Sequence, residues 1–284
     1  MLSAALALVA TALVLVTLAK YAFGRIVLSG VRLDEELFIR DNPAAAVIVI
    51  GYGAALIAIA VGVVATEGQK HLLQEVAFVV GAVGAGAVLV LVGAAPLLRL
   101  EGVSVKQSIL EQRNVGVALA AAGAYVAEGF VVHGVIDFSP VTSGLDQATI
   151  VAALGFFAIA QVPLMIAVLA YRKLVGFDVK AELARGNVAA GLSYGSCIAA
   201  MGLVIGHAAH GEFHGWGIAL AEFSLQAAFG LLLLPSLRFA VSAVLVPNSS
   251  LTHEIGRQDV PNWGAALLEA FAYLGAAGLV VSSA

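Results

Sequence analysis

Residues 35–65 read EELFIRDNPAAAVIVIGYGAALIAIAVGVVA. A charged segment ends in Asp41-Asn42-Pro43, and the run from Ala44 to Ala65 that follows carries no charge. A membrane hydrocarbon core about 30 Å thick is crossed by roughly 20 such residues in a helix. Asn42 supplies a side-chain oxygen for the unpaired amides of a helix start. Pro43 fits the first helical turn, where its missing N–H costs nothing. The stretch therefore predicts a polar elbow at a membrane face that feeds a spanning helix rich in small residues.

Seven further runs resemble it. The predicted spans are Leu2–Phe23, Ala44–Ala65, Leu72–Leu98, Val115–Ile136, Ala148–Ala170, Val188–Ala209, Trp216–Leu237 and Trp263–Val281. The fold class expected is all-α, a polytopic membrane bundle of eight transmembrane helices. Composition agrees: 61% of the 284 residues are apolar and 11% are charged, against roughly 25% charged in a soluble domain. That balance excludes a soluble enzyme, a nucleic-acid-binding protein and a disordered tail. The first run lacks a preceding basic residue and a small-residue cleavage site, so it is expected to stay as a span rather than act as a signal peptide. The single cysteine, Cys197, allows no internal disulfide.

Thirteen of the 14 Lys and Arg residues fall in the first, third, fifth and seventh loops, and only Lys70 falls elsewhere. Basic residues stay cytoplasmic. Both termini are thus expected on the non-cytoplasmic side.

The elbow recurs. Later copies read Ser108-Ile109-Leu110-Glu111-Gln112-Arg113-Asn114, Glu182-Leu183-Ala184-Arg185-Gly186-Asn187 and Glu254-Ile255-Gly256-Arg257-Gln258-Asp259-Val260-Pro261-Asn262. The capping asparagines Asn42, Asn114, Asn187 and Asn262 are 72, 73 and 75 residues apart. The expected unit is a helix, a short amphipathic segment and a second helix, occurring four times around an axis along the membrane normal. The even spans are rich in small residues, which let helix backbones approach where no water drives association. They are expected to form the inner layer.

The acidic amphipathic stretch followed by Asn-x-Ala-Ala, as at Asn42-Pro43-Ala44-Ala45 and Asn187-Val188-Ala189-Ala190, resembles the bacterial membrane family called domain of unknown function 350, with its YjfL-like members. One family domain is four spans, so the resemblance implies two in tandem, over 1–140 and 141–284. It also implies residence in the bacterial inner membrane. It supplies no catalytic residue.

Counted from the capping Asn, Tyr194 and Glu269 fall at position seven, Tyr125 and Tyr273 at eleven, and Glu128 at fourteen. At about 100° per residue these positions share one direction, which predicts a polar stripe. Glu222, Gln161 and Gln226 add polar groups in the fifth and seventh spans. Buried carboxylates in a membrane are functional candidates; the structural alternative is a protonated Glu tying helices together. A second cluster, His207, His210, Glu212 and His214, lies on the opposite rim near His71 and His133. It suits zinc, copper or pH sensing, or simply a polar rim, and no firm metal motif is present. No Walker loop, dinucleotide fingerprint, nucleophile elbow or zincin helix appears, so neither an enzyme nor a cofactor is expected.

The first functional expectation is a conduit for protons, cations or small solutes using Glu128, Glu222 and Glu269. The alternative is a scaffold that recruits a cytoplasmic partner of the envelope-stress type through the four elbows. The expected partners are the lipid bilayer, other copies of the chain and that cytoplasmic protein, with no nucleic acid.

Overall fold

The computed structural model describes residues 2–66, 72–102, 104–137, 147–211, 215–246 and 248–283. Among them are twelve helices and no strand. Eight are long and apolar enough to cross a membrane: α1 (Leu2–Ile26), α3 (Pro43–Thr66), α4 (Leu72–Leu100), α6 (Val115–Asp137), α7 (Gln147–Leu174), α9 (Val188–Ala208), α10 (Trp216–Leu245) and α12 (Trp263–Ser283). Between each odd span and the even span after it sits a six-residue helix: α2 (Leu33–Phe38), α5 (Val105–Leu110), α8 (Val179–Ala184) and α11 (Leu251–Gly256). A multi-pass membrane protein is the architecture these helices make.

The even spans form a row, in which α3 packs on α6, α6 on α9 and α9 on α12. Small residues make this possible. A Cβ placed on Gly123 would lie 2.1 Å from the Gly195 carbonyl oxygen, and one on Gly134 would lie 1.9 Å from that of Gly206. Gly51 meets Ala122, and Gly129 meets Ala55, just as closely. These backbones touch, and no side chain fits between them.

The odd spans make a second layer. α4 leans on both α3 and α6, α7 on α6 and α9, and α10 on α9 and α12, while α1 rests on α3 and α4. The even helices do not wrap around a shared centre as the sequence suggests. Their row is open, because α3 and α12 share no packed face. At the two ends of the row Ile50, Ile57 and Phe271 stand exposed, at positions where α6 and α9 carry Gly, Ala or Ser.

The seventh span departs from expectation too. It continues past Leu237 to Leu245 and takes Arg238 inside the helix, 6% exposed. Arg238 is thus not a loop residue.

Candidate functional site: polar groups inside the bundle

The elbows are built from two hydrogen bonds that recur. The backbone N–H of each capping Asn donates to the carbonyl of the fourth residue in its own short helix: Asn42 to Glu36, Asn114 to Ser108, Asn187 to Glu182 and Asn262 to Glu254, at 2.8–3.0 Å. Each Asn Oδ1 then accepts from an amide of the first turn: Ala45 at 3.2 Å, Val117 at 2.9 Å, Ala190 at 3.0 Å and Ala265 at 3.2 Å. All four predicted caps form. The residue before the Asn turns left-handed in three elbows, at Asp41 (φ 47°), Arg113 (φ 50°) and Gly186 (φ 84°); only the glycine adopts that turn without steric cost.

The Asn side-chain amide does more than the sequence indicated. Asn42 Nδ2 donates to the Ile109 carbonyl at 2.8 Å, Asn114 to Leu183 at 2.7 Å and Asn187 to Ile255 at 2.8 Å. Each acceptor is the fifth residue of the next short helix. Asn42, Asn187 and Asn262 also donate to a carboxylate of their own elbow, Glu36, Glu182 and Glu254 respectively. In the second elbow, Ser108 stands where those glutamates are.

All five stripe residues are buried, but they do not meet at one place. Tyr125 packs with Tyr52 and Phe23 in an aromatic group with centroids 4.9–5.7 Å apart. Glu128 lies between α6, α4 and α7. One of its oxygens accepts from Gln161 at 3.1 Å, and the other, Oε1, has no partner. It lies against Gly93, the α4 residue whose missing side chain makes space for it.

Glu269 belongs to a different group, between α9, α10 and α12. It is ion-paired with Arg238 and accepts from Ser193 at 2.5 Å and from Tyr273 at 2.9 Å. Ser193 also bonds Tyr171 at 2.5 Å, and the Tyr171 ring sits 5.4 Å from that of Tyr194. Tyr194 in turn donates to Glu101, at the end of α4. Burial pushes the Glu101 carboxyl up, while the Tyr194 hydrogen bond and Arg172 pull it down less strongly. Its second oxygen has no partner. A cavity of about 20 Å³ lies beside this group, lined by Tyr171, Cys197, Tyr273 and Arg238 among others.

Glu222 and Gln226 are exposed on α10 and join neither group. A carboxylate there does not border the small-residue row. His133, His207 and His210 line one cavity of about 210 Å³. His133 Nδ1 sits 2.8 Å from the Ala58 carbonyl, and the His207 and His210 rings stack at 6.1 Å. Among the described residues no three His, Cys, Asp or Glu side chains converge as a metal site. His71, Glu212 and His214 lie outside the described residues.

Arg238, Glu101, Ser193 and Tyr171 were missed by sequence reasoning. Arg238 directly follows the predicted span Trp216–Leu237, so it read as the first residue of a loop. Glu101 looked like one more rim charge.

The family described as Domain of Unknown Function (DUF350) matches residues 1–136 and again 144–284. The chain belongs to this family. Two DUF350 domains follow one another, and the tight α6–α9 contact joins the last span of the first to the second span of the second. The Glu128 site draws on both DUF350 copies, through α6 and Gln161 of α7, whereas the Glu269–Arg238 pair lies within the second. No curated protein and no solved structure matches the chain.

Proposed function

We propose that four copies of one unit, a long helix, a short helix and a long helix, build this protein, each related to the next about an axis along the membrane normal. In this reading the protein is a scaffold of the bacterial inner membrane that holds its four short helices in line for a cytoplasmic protein. The carrying observation is the bridge from Asn42, Asn114 and Asn187 to the fifth residue of the following short helix. A side chain used this way fixes the spacing of the short helices along the rim.

The contacts within the row support the repeat. Counted from its capping Asn, residue nine of one helix meets residue eight of the next at Gly51–Ala122 and at Gly123–Gly195. Residue thirteen meets fifteen at Ala55–Gly129 and Ala127–Gly202, and twenty meets nineteen at Gly62–His133 and Gly134–Gly206. Backbone contact of this kind makes a stiff slab. The excess of Lys and Arg at the short-helix rim turns that rim toward the cytoplasm, with both termini opposite.

A second reading has one observation in its favour. Glu128 is fully buried in mid-span with an oxygen that bonds nothing, a state that suits proton or cation binding in a conduit. One pair of experiments separates the readings. Charge reversal of the exposed Glu111, Arg113, Lys180 and Arg185 removes the partner that co-purifies with the wild type if the protein is a scaffold. Proton flux in proteoliposomes that vanishes in Glu128→Gln replaces the scaffold with the conduit.

A further inference from the structure

We propose that a second copy of this chain continues the row: α12 of one copy packs on α1, α2 and α3 of the next, and the Asn262 amide donates to the Leu37 carbonyl. The inference rests on the repeat reading above. Within one chain, every even span but the last touches three elements of the following unit. α3 touches α4, α5 and α6; α6 touches α7, α8 and α9; α9 touches α10, α11 and α12. Among the described residues, α12 packs on no following unit, and α1, α2 and α3 pack on none before them.

Both ends carry the marks of an unfilled joint. The bridging asparagines are buried where a next unit exists: Asn42 is 1% exposed, Asn114 6% and Asn187 4%. Asn262 is exposed. Its amide donates to Glu254 of its own elbow, as those of Asn42 and Asn187 do to their glutamates, but it makes no bridge onward. The acceptors behave likewise. Ile109, Leu183 and Ile255 are at most 1% exposed, whereas Leu37, the fifth residue of α2, is only half-buried. The donor at one end matches the acceptor at the other.

The helix faces match in register. On α12, positions nine, thirteen and twenty are Phe271, Gly275 and Ser282; on α3, positions eight, fifteen and nineteen are Ile50, Ile57 and Val61. A Cβ on Gly275 would meet nothing within 4 Å, and Ile57, its counterpart by register, is half exposed at 50%. A large side chain thus faces a hollow at that level. At the level above, Phe271 faces Ile50, so the helices sit farther apart than inside the chain. The joint is therefore looser than the internal ones and reversible. Because donor and acceptor lie on different surfaces, the contact is head-to-tail and propagates into a ring or a membrane ribbon instead of stopping at a two-fold dimer.

The test uses two differently tagged full-length chains in a Cys197→Ser background, co-expressed and oxidised in native membranes. One carries Ile57→Cys and the other Gly275→Cys; a second pair, Val61→Cys with Ser282→Cys, covers a variant that does not assemble. A disulfide between unlike chains, absent when either variant is expressed alone, is the expected result, and Asn262→Ala should lower its yield on the order of five-fold, as for one lost hydrogen bond. Cross-linking of like chains only, or of neither pair, overturns the proposal. The repeat reading is judged separately, by whether Asn42→Ala, Asn114→Ala and Asn187→Ala weaken the folded chain alike. If they do and no cross-link forms, the continuation fails and the repeat stands.

Discussion

The side-chain amide of Asn187 donates to the carbonyl of Ile255, 68 residues further along the chain, at 2.8 Å. One residue thus caps its own helix, seats its own elbow and holds the next short helix. The same Asn oxygen and nitrogen serve both directions because an amide is acceptor and donor at once. Neither Asp nor Ser, equally good caps, offers the two donor hydrogens that Asn42 and Asn187 divide between an elbow carboxylate and the next unit.

Asn114→Ala should therefore cost more than a cap. Losing the Val117 hydrogen bond removes about 1 kcal/mol, and the buried Leu183 carbonyl left without its partner adds about 1–2 kcal/mol. Asn262→Ala loses the cap to Ala265 and the bond to Glu254 at an exposed elbow, and should cost about 1 kcal/mol. Thermal unfolding of the two variants in detergent checks the order; equal losses would contradict the bridging role.

Gly123→Ala should damage the fold. Its Cβ would lie 2.1 Å from a backbone oxygen that cannot rotate away, so α6 and α9 must part, at about 1–3 kcal/mol or more. Gly84→Ala, on α4 with nothing within 4 Å, should be neutral or stabilise by about 0.5–1 kcal/mol. Comparing the two melting temperatures measures the contribution of backbone contact.

Removing one partner of the Glu269–Arg238 pair should be worse than removing both. Glu269→Gln leaves a guanidinium buried at 6% exposure without its counter-charge, at about 3–5 kcal/mol. The double variant Glu269→Gln/Arg238→Met restores much of that loss. A double variant no better than the single one would show that Arg238 finds other anions.

The spans, the elbows and the four caps were legible because each rests on local chemistry: an apolar run of fixed length, an Asn, a Pro. The stripe was legible as burial, since helical phase alone turns Tyr125, Glu128, Tyr194, Glu269 and Tyr273 inward. Where the stripe leads was not legible. Phase gives a direction around one helix and says nothing of which helix stands there, so Glu128 met Gln161 and Glu269 met Arg238 instead of each other. Arg238 was hidden for a related reason. A lone charge marks the end of a span, unless a carboxylate on another span is waiting for it, and that partner lies 31 residues away. The onward bridges of Asn42, Asn114 and Asn187 were invisible for want of any local sign, because each acceptor is a backbone carbonyl.

Two carboxylates near the short-helix rim should respond to pH with opposite signs. Glu254 is held below the ordinary 4.5 by hydrogen bonds from Ser249 and Asn262. A group whose folded value is depressed contributes stability above the unfolded value and loses it as pH falls through the folded one, so the α11–α12 elbow should loosen on acidification below 4.5. Glu101 is raised above 4.5 by burial. Folding then favours its protonated form, and its contribution is greatest below 4.5 and declines as pH rises from there through the raised value. Tyr194→Phe, which removes the hydrogen bond that opposes this shift, should move the decline to higher pH. Amide hydrogen exchange followed separately in α11–α12 and at the end of α4 distinguishes the two. Glu254→Gln should abolish only the acid-side response, and Glu101→Gln only the other; a common response of both regions would mean that neither carboxylate governs its own elbow.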